Sequence, residues 1–233
     1  MTDQMQAGTV TITGHGKAGL EAYLARPLGD RPRGGVVVIH HLPGYDEGTK
    51  QITRTFAARG YAAICPNLYS REGEGVSPDE QLVGDVAGAA AHLNSLEGAN
   101  GKVGVIGYCS GGRQAFLAAV SLDLDAAVDC YGAFVVKDPP ADFPLQATSL
   151  ISKAGDLSCP LLGLFGEDDR FPAPDEVAEL DTELTRLGKE HEFHSYPGAG
   201  HAFFSVERTS YRPEAAVDGW KRILDFYGRH LAS

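Results

Sequence analysis

The sequence predicts an α/β architecture, a mainly parallel, twisted sheet with helices on both faces. Three observations carry that expectation. Residues 36–39, VVVI, form a continuous β-branched run, the pattern of a strand buried on both faces of a parallel sheet. Apolar strand-like runs alternate with helical patterns along most of the chain. Residues 102–120, KVGVIGYCSGGRQAFLAAV, read as strand, glycine-bracketed turn and helix without a break.

The elements follow in order. Residues 9–13 (TVTIT) alternate and read as a strand, Gly14-His15-Gly16 as a turn, and residues 20–25 (LEAYLA) as the hairpin partner. A Pro/Gly/Arg connector spans 27–35. Residues 50–59 read as a helix stopped by Gly60, and 61–65 (YAAIC) as a strand closed by Pro66. A long helix is expected over 78–96, with Ser77 as N-cap, Asp79 and Glu80 in its first turn and Gly98 beyond its end. After the 102–120 unit come strands at 126–131, 161–165 and 191–196. Helices are expected at 175–187, stopped by Gly188, and at 214–230, which turns Ala216, Trp220, Ile223, Leu224 and Tyr227 inward. One domain is expected over 1–233. Its long irregular stretch, 132–158, is rich in Pro and Asp and reads as a lid or binding loop.

Bulk composition narrows the function. The 233 residues carry a formal net charge of −11 and no basic run of five, which argues against a nucleic-acid surface. An anionic small molecule is not excluded, because a few local arginines can dominate a cleft. No apolar run approaches the roughly 20 residues needed to span a bilayer. The first residues have neither a positive segment nor an apolar one to follow it. Cys65, Cys109, Cys130 and Cys159 are widely spaced, with no C-x-x-C pair. The expected location is therefore cytoplasmic, where thiols stay reduced, with Cys65, Cys130 and Cys159 as inert core residues. The assembly is expected to be a monomer or homodimer.

In parallel sheets of this kind, function gathers at the carboxyl ends of the strands. That rule selects the loops at 40–48, 108–112, 166–174 and 197–204. The second holds Cys109 in Gly107-Tyr108-Cys109-Ser110-Gly111, a strand-to-helix turn of the nucleophile-elbow kind with cysteine at its centre. Flanking side chains would collide with the neighbouring strand and helix, so glycines are required there. The helix start would favour a thiolate. The third loop holds Asp168 and Asp169, and the fourth His201, so nucleophile, acid and histidine follow in chain order. His201 would take the thiol proton and return one to the leaving group. A carboxylate, Asp169 with Asp168 as the alternative, would fix its tautomer and stabilise the imidazolium. The N–H groups of Ser110 and Leu42 are the candidate oxyanion donors. A Ser110 nucleophile is disfavoured, because its side chain points elsewhere by default.

These residues together resemble the dienelactone hydrolase family of α/β hydrolases from about residue 20 to the C-terminus. The resemblance is carried by GVVVI at 35–39, GYAAICPNLY at 60–69, GKVGVIGYCSGG at 101–112, FGEDD at 165–169 and AGH at 199–201. It implies an α/β-hydrolase fold, hydrolysis of lactones or carboxylic esters through an acyl-cysteine, and neither metal nor cofactor. It implies triad roles for Cys109, Asp169 and His201, and an oxyanion hole of Leu42 and Ser110. One departure is plain: the family places glutamate just before the oxyanion residue, and here His41 stands there, with a role in substrate binding or thiol activation. Two histidines without a matching third ligand do not suggest zinc. No arginine follows His201 at the family's spacing, where Ser205 stands. Arg71, Arg113, Arg170 and Arg208 are the remaining candidates to meet a substrate carboxylate, and Tyr45, Phe203 and Phe204 are candidate pocket walls. The alternatives on the same fold are a thioesterase, a broad carboxylesterase, or a non-catalytic binding protein.

Overall fold

The computed structural model describes residues 4–29, 34–71, 77–143 and 147–232. Part of the expected connector, 30–33, and part of the irregular stretch, 144–146, lie outside the described residues. Eight strands form one sheet: β1 (Met5–Thr13), β2 (Gly19–Pro27), β3 (Gly35–Ile39), β4 (Ala62–Pro66), β5 (Val103–Tyr108), β6 (Ala126–Cys130), β7 (Leu161–Gly166) and β8 (His191–Tyr196). Their spatial order is β1-β2-β4-β3-β5-β6-β7-β8. The β1–β2 and β2–β4 pairs are antiparallel, and the pairs linking β4, β3, β5, β6, β7 and β8 are parallel. The expected mainly parallel sheet is thus present, with an antiparallel hairpin on one edge.

Among the described residues, five α-helices cover it: α1 (Glu47–Ala58), α2 (Asp79–Asn94), α3 (Ser110–Ala119), α4 (Pro174–Arg186) and α5 (Pro213–His230). Period-two alternation within the central strands feeds two cores. Val37 and Ile39 join one core with α2, α3 and α4, while Val36 and Val38 join the other with α1 and α5. This is why the central strands read as unbroken apolar runs: both faces are covered. On the second face the Tyr227 ring fits over Gly104, where an added Cβ would stand 2.9 Å from the ring, and its hydroxyl donates to the Val105 carbonyl at 2.8 Å.

Several boundaries differ from expectation for identifiable reasons. β1 begins at Met5, because pairing with β2 continues to Pro27 through residues too polar to show an apolar pattern. α1 begins three residues early, because Asp46 caps it, accepting the Thr49 N–H at 2.9 Å. Ser77 does not cap α2: Pro78 holds that position, and the Ser77 hydroxyl donates to the Leu68 carbonyl. Tyr61 is buried but precedes β4. His15 opens a short 3-10 turn whose N–H rests on the buried Asp85 carboxylate at 2.8 Å. The 132–158 stretch is largely anchored: Val135, Val136, Leu150, Ala154 and Leu157 lie in the first core, and residues Ile151–Asp156 form a 3-10 helix.

Removing the buried Tyr227 hydroxyl tests the α5–sheet contact. Tyr227→Phe should cost about 1–2 kcal/mol of unfolding free energy, with the denaturant slope unchanged in urea titration.

Candidate active site

β5 runs into α3 through Cys109, whose backbone sits at φ 60°, ψ −122°. A non-glycine residue there is strained by about 1–3 kcal/mol and is held by its surroundings. Those surroundings leave no room for flanking side chains. A Cβ at Gly107 would stand 1.8 Å from the Gly111 carbonyl oxygen, and one at Gly111 would stand 2.5 Å from the Ile39 carbonyl oxygen. The Cys109 N–H donates to the Cys130 carbonyl at 3.1 Å, tying the elbow to the end of β6. The thiol is partly exposed, whereas Cys65, Cys130 and Cys159 are buried and burial pushes their thiols up.

The acid and histidine loops meet just as closely. A Cβ at Gly166 would come within 2.3 Å of the Ala199 carbonyl oxygen, and the Asp168 N–H donates to that same carbonyl at 2.9 Å. This contact leaves the Asp168 side chain exposed and turns Asp169 inward, where its side chain is 2% exposed. Asp169 Oδ2 lies 2.9 Å from His201 Nδ1, and Oδ1 accepts the Phe171 N–H at 3.0 Å. Neither aspartate caps α4. Its N-cap is Ala173, whose N–H rests on Glu176.

A carboxylate at Nδ1 requires the proton there, leaving Nε2 for the thiol. Burial lowers the pKa of His201, but its hydrogen bonds with Asp169 and Cys109 and the charges of both outweigh it, and the imidazole is raised from 6.5 to about 10. The surroundings of the ring, Cys109 among them, therefore favour its charged form.

His40 shows the opposite outcome. It is buried without a carboxylate against its ring, and desolvation lowers it to about 4 despite its bond to the His41 carbonyl. The neutral ring accepts the Leu68 N–H at Nε2, 3.2 Å away, and so braces the loop that carries Leu42. His41 is half-buried, with Nε2 3.4 Å from Asp46 Oδ2. Burial lowers it, Asp46 opposes that, and the charge of Arg208 adds to it. The structure thus brings Cys109, Asp169 and His201 together and sets His41 beside Asp46 and Arg208.

Other candidates lie elsewhere. Arg71 pairs with the buried Asp85, and Arg113, itself buried, pairs with Asp79 at 3.0 Å and with the Thr148 carbonyl at 2.8 Å. Arg170 and Arg208 are exposed. Phe203 and Phe204 are core, stacked on each other at 4.7 Å. Tyr45 packs against the second core, and its buried hydroxyl has no hydrogen-bond partner among the described residues. Tyr131 was missed by sequence reasoning. Its buried ring stands edge-on to His201, with centroids 5.2 Å apart, and its backbone is left-handed at φ 45°. The carboxyl-end rule applied to β6 as well would have selected it. Among the described residues no group of three or more His, Cys, Asp or Glu side chains could hold a metal ion, and no helix is long and apolar enough to cross a membrane.

A mainly parallel sheet of this order with a cysteine elbow, a buried aspartate and a histidine at its carboxyl rim defines an α/β hydrolase. The chain matches the sequence profile of the dienelactone hydrolase family over residues 20–231 and belongs to that family. It is 33% identical to a Yersinia pestis protein named "Putative carboxymethylenebutenolidase", over all of this chain and 91% of that one. It is 31% identical to the crystal structure of a "Putative Dienelactone Hydrolase" from Klebsiella pneumoniae, with a TM-score of 0.86, covering 97% of this chain and 100% of that one. A dienelactone hydrolase-like promiscuous phosphotriesterase from metagenomic libraries shares the fold, with a TM-score of 0.80 at 20% identity over 97% and 98% of the two chains.

The raised His201 pKa has a stability consequence. A base whose folded pKa exceeds its unfolded value adds stability that is complete below about 6.5 and is lost as pH climbs through about 10. Asp169→Asn should bring His201 titration, followed by ring-proton NMR, back toward 6.5 and flatten the stability decline across that window.

Proposed function

We propose that this hydrolase opens lactones and cleaves carboxylic esters of small molecules, as a carboxymethylenebutenolidase does, through an acyl-cysteine on Cys109. The observation that carries this reading is the position of the His201 ring, held by Asp169 at Nδ1 and close enough to Cys109 for the thiol to raise the imidazole. The positive end of α3 at the start of the helix favours an anion at the sulfur. The sulfur attacks the acyl carbon, and the carbonyl π pair moves to oxygen. Ser110 and Leu42 are assigned as donors to that oxyanion. Among the described residues neither N–H donates to a backbone acceptor, and Ser110 opens α3, where helical geometry leaves the N–H free. Collapse breaks the C–O bond, and the leaving oxygen takes the proton from His201 Nε2. In a lactone this oxygen stays tethered to the acyl group. Water, deprotonated by the now neutral His201, then attacks the thioester; the C–S bond breaks, and the thiolate and imidazolium return. The residues present perform every step, so no cofactor is invoked.

His41 is assigned to the mouth of the site and to substrate contact. Its ring engages Asp46 and burial favours its neutral form, so thiol activation falls to His201. One observation favours a wider ester or thioester range than a single carboxylate-bearing lactone: Arg71 and Arg113 are engaged in ion pairs, leaving the exposed Arg170 and Arg208, of which Arg208 acts on the charge of His41. A reducing, cytoplasmic setting suits a free catalytic thiol.

Cys109→Ala should lower p-nitrophenyl acetate turnover by at least about a thousandfold. Iodoacetamide should titrate activity away in step with a single alkylated cysteine seen by mass spectrometry. Turnover that survives complete alkylation of Cys109 would overturn the thiol mechanism, and no turnover on any activated ester or lactone would favour a binding protein. Asp169→Asn should cost far more kcat than Asp168→Asn. In a separate comparison, Arg208→Ala should raise KM for a carboxylate-bearing lactone several-fold while leaving that for p-nitrophenyl acetate within about twofold.

A further inference from the structure

Asp129 is a buried acid that the proposed chemistry does not use. It sits in β6 with no exposed surface, and one carboxylate oxygen, Oδ2, has no hydrogen-bond partner. Buried polar atoms are almost always paired, so this exception calls for a reason. Burial pushes the carboxyl up to about 7, against the opposing bond from Gly132. An apolar side chain would fill this place in the core at less cost.

The reason lies in what the other oxygen does. Oδ1 accepts the Gly132 N–H at 2.7 Å. The bond closes a turn around Tyr131, the residue in left-handed geometry whose ring stands edge-on to His201. Asp129 is wedged in that position by two glycines. A Cβ on Gly112, in the first turn of α3, would stand 2.3 Å from Oδ1, and one on Gly132 would stand 2.4 Å from it. The carboxyl also lines a cavity of about 10 Å³, where Glu176 of α4 is the only other titratable side chain among the lining residues. The Tyr131 N–H donates to the Leu164 carbonyl at 2.9 Å, and its ring packs on Phe203 and Phe204 at 5.2 and 6.2 Å. The aromatic ring is thus held between Tyr108, Phe203 and Phe204 as well as against the imidazole.

We propose that Asp129 is a positioning residue for the hydrolysis: by holding the Gly132 N–H it fixes the turn at Tyr131, and through the Tyr131 ring it sets the angle of His201 toward the Cys109 sulfur. This rests on the assignment of Cys109 and His201 above. The Asp169 bond holds only Nδ1, and the Tyr131 ring, edge-on at 5.2 Å, limits the remaining swing of the imidazole about its side-chain torsions.

The test compares Asp129→Ala, Asp129→Asn and Tyr131→Leu, each checked for folding by circular dichroism. Readouts are kcat and KM on p-nitrophenyl acetate and the pH profile of Cys109 alkylation by iodoacetamide. Asp129→Ala should lower kcat at least tenfold with KM within twofold, and slow alkylation at pH 6 several-fold, because the imidazolium no longer faces the sulfur. Asp129→Asn keeps an acceptor oxygen and should recover most of that loss. Tyr131→Leu, which leaves Asp129 in place, should reproduce the loss, and adding Asp129→Ala to it should cost little more. Wild-type kcat and alkylation profile in folded Asp129→Ala or in folded Tyr131→Leu overturn the proposal. If Cys109→Ala is inactive while those variants are intact, only the role of Asp129 falls. If Cys109→Ala is fully active, the thiol assignment falls and this proposal with it.

Discussion

The rim of this sheet depends on the absence of two Cβ atoms. Gly107 and Gly111 allow β5, the first turn of α3 and the end of β3 to approach closer than any side chain would permit. That approach forces the residue between them out of regular strand and helix geometry, and Cys109 is lifted from the surface at φ 60°. Everything chemical follows from the projection. The sulfur is set at a helix start, and the loop after β3 is brought beside it. The end of β6 is bonded to the Cys109 N–H, which places Tyr131 next to the same site. A second close approach, Gly166 against Ala199, does the same for acid and histidine. Two tight glycine contacts thus bring together four loops that lie far apart in sequence.

The histidines show how local surroundings override composition. The chain is strongly acidic, yet His40 and His201 move in opposite directions. Both lose solvation. His40 finds only backbone partners, so its charged form has nothing to replace water and the ring stays neutral. His201 has a buried carboxylate at 2.9 Å and a sulfur on the other side, and these reverse the sign. The neutral ring serves as a brace and the charged one is suited to proton transfer. His41 lies between these cases, with a partly solvated aspartate at 3.4 Å that only moderates the effect of burial.

Legibility in the sequence followed the range of the interactions. The central strands, the elbow and the chain order of cysteine, acid and histidine all rest on local pattern and were readable. Asp169 over Asp168 was readable only as a preference. What separates them is a backbone bond from Asp168 to a loop 31 residues further along, which sends one side chain out and its neighbour in. The role of Ser77 was misread because its hydroxyl reaches a carbonyl nine residues back, beyond the window in which caps are recognised. Phe203 and Phe204 read as possible pocket walls because they follow His201. They are core because the chain turns inward after Ala202. Asp129 was invisible within the AAVDC strand, since nothing local marks a buried acid whose oxygen accepts the Gly132 N–H and packs on Gly112 of α3.

The fate of the arginines bears on what the site can recognise. Taking a guanidinium out of water requires a partner, and the rim supplies internal ones. Arg113 is 4% exposed, gripped by Asp79 and the Thr148 carbonyl, so it joins α2, α3 and the stretch before Ile151. Arg71 fastens the segment after β4 to Asp85 of α2, which in turn holds the His15 turn. Releasing either cation to a substrate would strand a carboxylate, and for Asp85 that carboxylate is fully buried. A substrate anion therefore competes with the fold itself at both positions. Among the described residues Arg208 has no ion-pair partner; it stands exposed on the loop after His201, and its charge reaches His41. On the proposed assignment of Arg208, recognition of charge at this rim would rest on a solvated side chain, whose pull on an anion is weakened by screening.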